Sequence, residues 1–249
     1  MNRGFTLIEL VIVFAIITTI SALAIPSLVS AQAAANERSA SASLKTIAIA
    51  EYDFRIQDRD GNRTADYWTA DVFALHALTP VALGSNALPA DTTNATNAIR
   101  LIEMSVAMAD ARSFTNLYGN VQVNNITGRG APKSGYGYRR FDGYATGTGT
   151  ATLLVNTDGA QLYGAVHHMD RFGFMAFPLN RSLGKSLYIV TNDAVVWRLP
   201  LPRTYATTFT AITSAANSNS TVTGTGVTVL NNAVTFPLTP VALGLRKMD

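Results

Sequence analysis

Residues 4–10, Gly4-Phe5-Thr6-Leu7-Ile8-Glu9-Leu10, open a long apolar run near the N-terminus. From Leu10 to Asn36 no residue carries a formal charge. About twenty of these residues would rise about 30 Å as a helix, which matches the hydrocarbon thickness of a bilayer. Glu9 stands at the start of the run, where a carboxylate in lipid costs about 2.5–3.5 kcal/mol. The sequence therefore predicts a membrane helix with an acidic group that needs a partner.

A general secretory signal peptide is the simpler interpretation of the same residues. It would use the basic start, the apolar core and the small residues Val29-Ser30-Ala31 as a cleavage site before Gln32. That interpretation accounts for export and for the hydrophobicity. It gives Glu9 no role.

The segment GFTLIEL resembles the processing site of type IV pilins and of type II secretion pseudopilins, with glycine, aromatic, acid and apolar run in register. In that family a short basic leader, here residues 1–4, is cut after the glycine, here Gly4. The new N-terminal residue, here Phe5, is then N-methylated. The family's glutamate corresponds to Glu9, and Pro26 matches a proline that many members carry deeper in the helix. The resemblance covers residues 1 to about 55.

The resemblance implies a set of partners and a location. A prepilin peptidase that also methylates would process the chain, and an inner-membrane platform would assemble it with itself or other pilin-like subunits. The subunit would first cross the bacterial inner membrane once and later belong to an extracellular or periplasmic filament. Arg3, the one charge before Glu9, favours a cytoplasmic N-terminus.

Composition limits the remaining possibilities. The chain has 249 residues, of which about 190 would remain for one soluble domain after the membrane helix. The counts of 19 basic and 16 acidic residues are nearly balanced, which argues against a nucleic-acid partner. There is no cysteine, so the C-terminal region must be held by packing, pairing or a metal ion.

The pattern predicts an α+β fold, in which a long N-terminal membrane and spine helix precedes a globular head with short helices and an antiparallel β-sheet. The domains are a leader at 1–4, a helix at 5–57 with 5–30 in the membrane, and a head at 58–249. Pro26 predicts a kink or local melting. Short helices are expected near 67–78 and 97–112, and strands near 136–141, 151–155, 172–177, 186–191 and 194–199. Asn192-Asp193 is expected to be a two-residue hairpin connection. Two or three further strands are expected between 205 and 236.

An acidic loop after the helix is a candidate calcium site. Its oxygen-bearing side chains are Asp58, Asp60, Asn62 and Asp66. Such ligands suit Ca²⁺, although the glycine position and the missing final glutamate exclude an EF-hand. The alternative is a turn rich in aspartate and asparagine that ends the helix. No other cofactor is predicted.

Two further groups of residues are open to a functional interpretation. Arginines and aromatics alternate between Arg129 and Tyr144, which can grip a single-stranded nucleic acid but more simply indicates a strand with aromatics inside and arginines in water. The pair His167-His168 with Asp170 could bind a metal, yet neighbours on a strand point to opposite faces. Without G-x-S-x-G, H-E-x-x-H or cysteine, no enzyme is predicted.

These observations favour a structural subunit of a type IV pilus-like filament or a type II secretion pseudopilus, assembled through its N-terminal helix. The alternative is a membrane-anchored or filament-tip binding module, similar to an adhesin, whose head recognises a surface or DNA. An exported enzyme is a third, weaker possibility.

Processing gives the first test. We expect the mature protein to begin at Phe5 with a methylated amine, because Gly4 lets the backbone approach a peptidase closely where a side chain would not. Mass spectrometry of the N-terminal peptide checks this. A mature start at Gln32 would support the secretory signal instead.

Overall fold

The computed structural model describes residues 6–59, 65–69, 72–76, 100–110, 131–141, 143–146, 149–152, 167–168, 170–201, 229–230, 233–236 and 246–248. A 51-residue helix, α1 (Leu7–Gln57), comes first and is followed by a part built mainly of strands. The predicted α+β arrangement, a long apolar helix before a globular part with an antiparallel sheet, is therefore confirmed.

Local chemistry fixes both ends of α1. At the start, the hydroxyl of Thr6 accepts the backbone N–H of Glu9, and the Glu9 carboxylate accepts the backbone N–H of Thr6, which together form a capping box. At the end, Asp58 adopts the left-handed conformation (φ 45°, ψ 59°) and donates its N–H to the Phe54 carbonyl. Aspartate tolerates this conformation better than most residues other than glycine.

Short elements follow α1 along the chain. In order, those within the described residues are β1 (Tyr67–Trp68), a 3₁₀ helix (Phe73–His76), α2 (Met104–Met108), β2 (Tyr136–Arg140), β3 (Gly143–Thr146), β4 (Gly149–Thr152), β5 (His167–His168), β6 (Gly173–Pro178), β7 (Ser186–Thr191), β8 (Val196–Pro200), β9 (Val229–Leu230), β10 (Ala233–Phe236) and β11 (Arg246–Lys247).

The main sheet has five strands in the order β11-β8-β7-β6-β2, and every neighbouring pair is antiparallel. A four-stranded sheet, β4-β3-β10-β9, contains one parallel pair between β3 and β10. The strands β1 and β5 form a separate antiparallel pair. Strand β7 runs beside α1, as contacts at both ends of the strand show. Just before β7, the N–H of Lys185 bonds Glu37 of α1, and just after it the carbonyl of Asn192 accepts the hydroxyl of Tyr52.

The second half of α1 supplies one wall of the core. Its buried apolar residues are related by steps of three, four or seven positions, which places them on one face of a helix. They are Ala33, Ala40, Leu44, Ile47, Ala48, Ala50 and Phe54. Opposite them lie aromatic side chains, including Phe172, whose ring centre is 4.9 Å from that of Tyr67. Residues 33–54 of α1 therefore pack into the core that they share with the head.

Buried polar groups join the layers of the core. The carboxylate of Glu51 accepts the N–H of Trp68 at 3.0 Å, which ties α1 to β1. One oxygen of Asp110 accepts the N–H groups of Val72 and Phe73, each at 3.0 Å, and so caps the 3₁₀ helix. Charge-assisted hydrogen bonds of this kind are stronger than neutral ones.

Two of the predicted helices are wrong in type or length. The segment expected to be helical from 67 is extended at Tyr67–Trp68 because it pairs with β5, and only Phe73–His76 turns helically. The second helix shrinks to Met104–Met108, because the N–H of Leu101 bonds the Leu75 carbonyl at 2.9 Å instead of a helical partner. Its predicted ends, including the cap at Asn97, lie outside the described residues.

The predicted strands match well, with two corrections. The connection between β7 and β8 has four residues and not two, since the N–H of Ala194 closes a turn onto the Thr191 carbonyl at 2.8 Å. Arg139 and Arg140 are buried and not in water, and Arg140 donates to the Thr69 carbonyl at 2.7 Å. Of the expected tail strands, β9 and β10 are seen, and residues 205–228 lie outside the described part.

A matched pair of isoleucines tests how α1 packs. Ile47 is fully buried, whereas Ile49 is 67% exposed. We expect Ile47→Ala to lower the free energy of unfolding by about 2–5 kcal/mol through the lost contacts and the cavity. Ile49→Ala should change it by no more than about 0.5 kcal/mol. Urea unfolding in mild detergent, followed by tryptophan fluorescence, gives both values. Equal effects would contradict the burial of one helix face.

Candidate assembly site on the N-terminal helix

The first half of α1 exposes its apolar side chains on every side. The large exposed residues of this half are Leu7, Ile8, Leu10, Val11, Ile12, Val13, Phe14, Ile16, Ile17, Ile20, Leu23, Ile25, Leu28 and Val29. Apolar surface of this extent marks a membrane or protein interaction site. Within the described residues, α1 is the helix that is long and apolar enough to cross a membrane, with a mean hydropathy of 2.5 in its most apolar window.

Polar groups in this half satisfy one another within the helix. The hydroxyls of Thr18 and Thr19 donate to carbonyls one turn earlier, at 2.9 Å to Phe14 and 2.7 Å to Ala15. Such back-bonding hides a hydroxyl from lipid. The helix also continues without interruption through Pro26, so the subunit shows no melted segment there.

Glu9 is held by Thr6 at the start of α1. One carboxylate oxygen accepts the Thr6 backbone N–H at 2.9 Å and the Thr6 hydroxyl at 2.7 Å. Thr6 thus satisfies part of the carboxylate's hydrogen-bonding capacity without neutralising its charge. The predicted cleavage site, between Gly4 and Phe5, lies outside the described residues.

Glu37 anchors the point where α1 enters the head, and sequence reasoning did not single it out. Its carboxylate accepts the N–H of Lys185 at 2.7 Å, the hydroxyl of Tyr188 at 3.0 Å and the guanidinium of Arg198 at 3.1 Å. Burial, reinforced by the nearby Glu37 charge, raises the pKa of Tyr188, so this hydroxyl remains a donor. The neighbouring Asn36 donates to the Leu183 carbonyl at 3.0 Å. A usable signal was present, because Glu37 is the first charged residue after the apolar run.

The candidate calcium ligands lie only partly within the described residues. Asp58 is the left-handed cap of α1 and Asp66 is buried just before β1, whereas Asp60 and Asn62 lie outside. Among the described residues there is no group of three or more histidine, aspartate or glutamate side chains placed to hold a metal ion. The calcium loop therefore stays a prediction.

The other candidate groups fall within the sheet framework. Tyr136, Tyr138 and Phe141 are buried, and burial raises the pKa of Tyr138 to about 12. Lys133 pairs with Glu103 at 2.9 Å, and Arg129 lies outside the described residues. His167 and His168 form β5 opposite Trp68 and Tyr67. The alternating arginines and aromatics thus belong mainly to a core strand.

Comparison with known proteins supports the interpretation of the N-terminus. The family described as the prokaryotic N-terminal methylation motif matches residues 1–25. Over 53 residues the chain is 47% identical to the type IV major pilin protein PilA of Myxococcus xanthus (strain DK1622). This region is 21% of the chain and 24% of that relative, so the match spans about a quarter of the relative's length. No solved structure matches the chain.

The N-terminal region is therefore similar to that of a type IV pilin, as its residues predicted. The match to the methylation motif, residues 1–25, covers the predicted leader and most of the exposed half of α1.

Calcium binding has a direct test. If Asp58, Asp60, Asn62 and Asp66 hold an ion, a chelator should lower the melting temperature of a soluble form lacking residues 1–30, because binding to the folded state alone stabilises it. Adding Ca²⁺ back should restore the melting temperature. In the Asp60→Asn variant, the chelator should lower the melting temperature by less. An unchanged midpoint in excess chelator would leave the simple turn as the explanation.

Proposed function

We propose that this chain is a pilin-like subunit that is held in the bacterial inner membrane by α1 and then assembled, through the same helix, into a type IV pilus-like filament or secretion pseudopilus. One observation carries the proposal. A single unbroken helix is apolar and exposed on all sides from Leu7 to Val29, yet packs one face into a head from Ala33 onward.

An exposed apolar half of this size needs an apolar environment. Each large side chain gains about 1.5–3 kcal/mol when it is fully removed from water. Lipid can supply that environment before assembly, and the equivalent helices of neighbouring subunits can supply it afterwards. The transfer leaves the head in water throughout, because the packed half of α1 stays covered by the sheet.

Glu9 gives the apolar half a direction and a register. Cleavage after Gly4 would create a positive amine on Phe5, and a buried carboxylate on an incoming subunit would attract that amine on its neighbour. Such a contact offsets the cost of burying both charges only when geometry is good, so it selects one axial position. The capping box with Thr6 prepares Glu9 by fixing its side chain along the helix start.

Processing and assembly require other proteins. The methylation motif supports a prepilin peptidase that cuts after Gly4 and methylates Phe5, and an inner-membrane platform that extracts the subunit. High abundance in sheared fibres would favour a major subunit. Low abundance would favour a minor or tip subunit, in which the head could serve as a binding module.

Substitution of Glu9 tests the assembly mechanism. We expect Glu9→Ala to leave cleavage, membrane insertion and head folding intact but to reduce incorporation into filaments sharply, because the anion that attracts the neighbouring amine is gone. Glu9→Leu should insert at least as well as the parent and assemble no better than Glu9→Ala. Immunoblots of sheared-filament and membrane fractions measure both steps.

The capping box calls for a matched control, because Glu9→Ala also removes the half of the box in which the carboxylate accepts the Thr6 N–H. Glutamine serves at this position of a capping box, so Glu9→Gln preserves the cap and removes the charge. Thr6→Ala removes the cap and preserves the charge. Charge neutralisation predicts a defect for Glu9→Gln and a milder one for Thr6→Ala. Normal filament yield from Glu9→Gln would sink the mechanism.

A further inference from the structure

A group of basic side chains surrounds the point where α1 leaves the head. This basal cluster consists of Arg38, Arg181, Lys185, Arg198 and Arg246. Arg38, Lys185 and Arg246 are exposed, and the side chain of Arg198 is 41% exposed. The assembly mechanism proposed above uses none of them.

Direct contacts hold the cluster together. Arg198 pairs with Glu37, and the N–H of Lys185 bonds the same carboxylate. The Lys185 carbonyl accepts the N–H of Leu201 at 2.8 Å, and Arg181 donates to the Leu201 carbonyl. Arg38 follows Glu37 directly on α1. The end of β8 and the connection between β6 and β7 thus bring basic residues close to Glu37 on α1.

Among the described residues, the cluster contains more cations than carboxylates. Arg246 on β11 lies directly opposite Arg198 on β8, and like charges at opposing positions of a sheet destabilise it. Glu37 is the carboxylate that the described contacts place against the cluster. The nearby Lys133 and Glu103 pair with each other, and the hydrogen bond from Lys133 lowers the pKa of Glu103. An external anion would relieve the repulsion between the two arginines.

The distance of the cluster from the apolar half of α1 indicates where that anion would come from. Val29 is the last large apolar residue of the exposed half, and Glu37 follows eight positions later, which is a rise of about 12 Å. The headgroup layer extends about 5–8 Å beyond the hydrocarbon. The remaining gap is less than the Debye length of about 8 Å at physiological ionic strength.

We propose that the basal cluster binds the headgroups of anionic phospholipids while the subunit waits in the membrane. This inference rests on the membrane-held state of the proposed function. Basic residues next to a membrane helix bind anionic surfaces additively. The contact would seat the base of the head on the bilayer and would be broken when the subunit is extracted.

Fluorescence quenching can test the contact on the full chain. The chain contains no cysteine, so Ser182→Cys, in the exposed turn three residues before Lys185, can carry a single fluorophore at the base of the head. The protein is reconstituted in vesicles of phosphatidylcholine, alone or mixed with phosphatidylglycerol, that carry a nitroxide on the headgroup. We expect stronger quenching in the anionic vesicles, and high salt should abolish the difference.

Two double variants distinguish an effect of the basal cluster from an effect of the net charge of the protein. Lys185→Gln combined with Arg246→Gln should lower the ratio of heads in contact with the bilayer to heads away from it. The expected decrease is about five-fold for each cation removed. Lys45→Gln combined with Arg100→Gln removes the same charge from exposed positions outside the cluster, and should quench like the parent. Equal quenching of the parent in both vesicle types, or equal losses in both variants, would overturn the proposal.

Three further outcomes distinguish a failure of this inference from a failure of the proposed function. A chain that fails to float with the vesicles would contradict the membrane-held state, and the lipid contact with it. A chain that floats but shows no dependence on phosphatidylglycerol would overturn the lipid contact alone. Reduced filament yield from the Lys185 and Arg246 variant, with unchanged quenching, would assign the cluster to a neighbouring subunit and also overturn the proposal.

Discussion

The structure depends on one continuous helix that must satisfy two environments. The helix is continuous from Leu7 to Gln57, although Pro26 has no N–H and so leaves out one backbone hydrogen bond. The environment that its side chains require changes near residue 30. Before that point every face is apolar and exposed, and after it one face is apolar and buried. Continuity matters because a force or a displacement at the apolar half reaches the head through a stiff element. A flexible linker at the same place would leave the two halves mechanically independent.

Charged contacts hold this helix to the head in a chain that contains no cysteine. Glu37 binds three donors at the base of the head, and Glu51 binds the N–H of Trp68 inside it. Removing one partner from a buried, hydrogen-bonded charge is costly, because the remaining group loses both water and its partner. These contacts therefore oppose displacement of α1 relative to the sheet.

The sequence predicted the elements whose signals are local. The extent of α1 follows from its apolar run and its helical period, and β7 follows from a short run of β-branched and aromatic residues between turn residues. The failures occur where a distant partner overrides a local preference. Tyr67–Trp68 becomes a strand because β5 pairs with it, and the helix expected from residue 97 begins only at Met104 because the backbone at Leu101 bonds Leu75. Arg140 is buried because the Thr69 carbonyl lies within its reach. No local pattern contains that information.

The candidate site divides in the same way. The motif GFTLIEL is readable because its chemistry lies within seven consecutive residues, whereas the anchor at Glu37 depends on partners about 150 positions away.

The C-terminal strand β11 shows how far such distant pairing extends. It joins the edge of the main sheet through Arg246 and Lys247, and Met248 donates its N–H to the Val196 carbonyl at 2.9 Å. Pairing, one of the three means expected in the absence of a disulfide, therefore holds the described end of the chain. It also sets Arg246 beside Arg198, so the strand that secures the C-terminal region concentrates positive charge where the helix leaves the head. An edge strand of charged residues resists pairing with another sheet. Its position thus favours an anionic surface as its neighbour over a further strand.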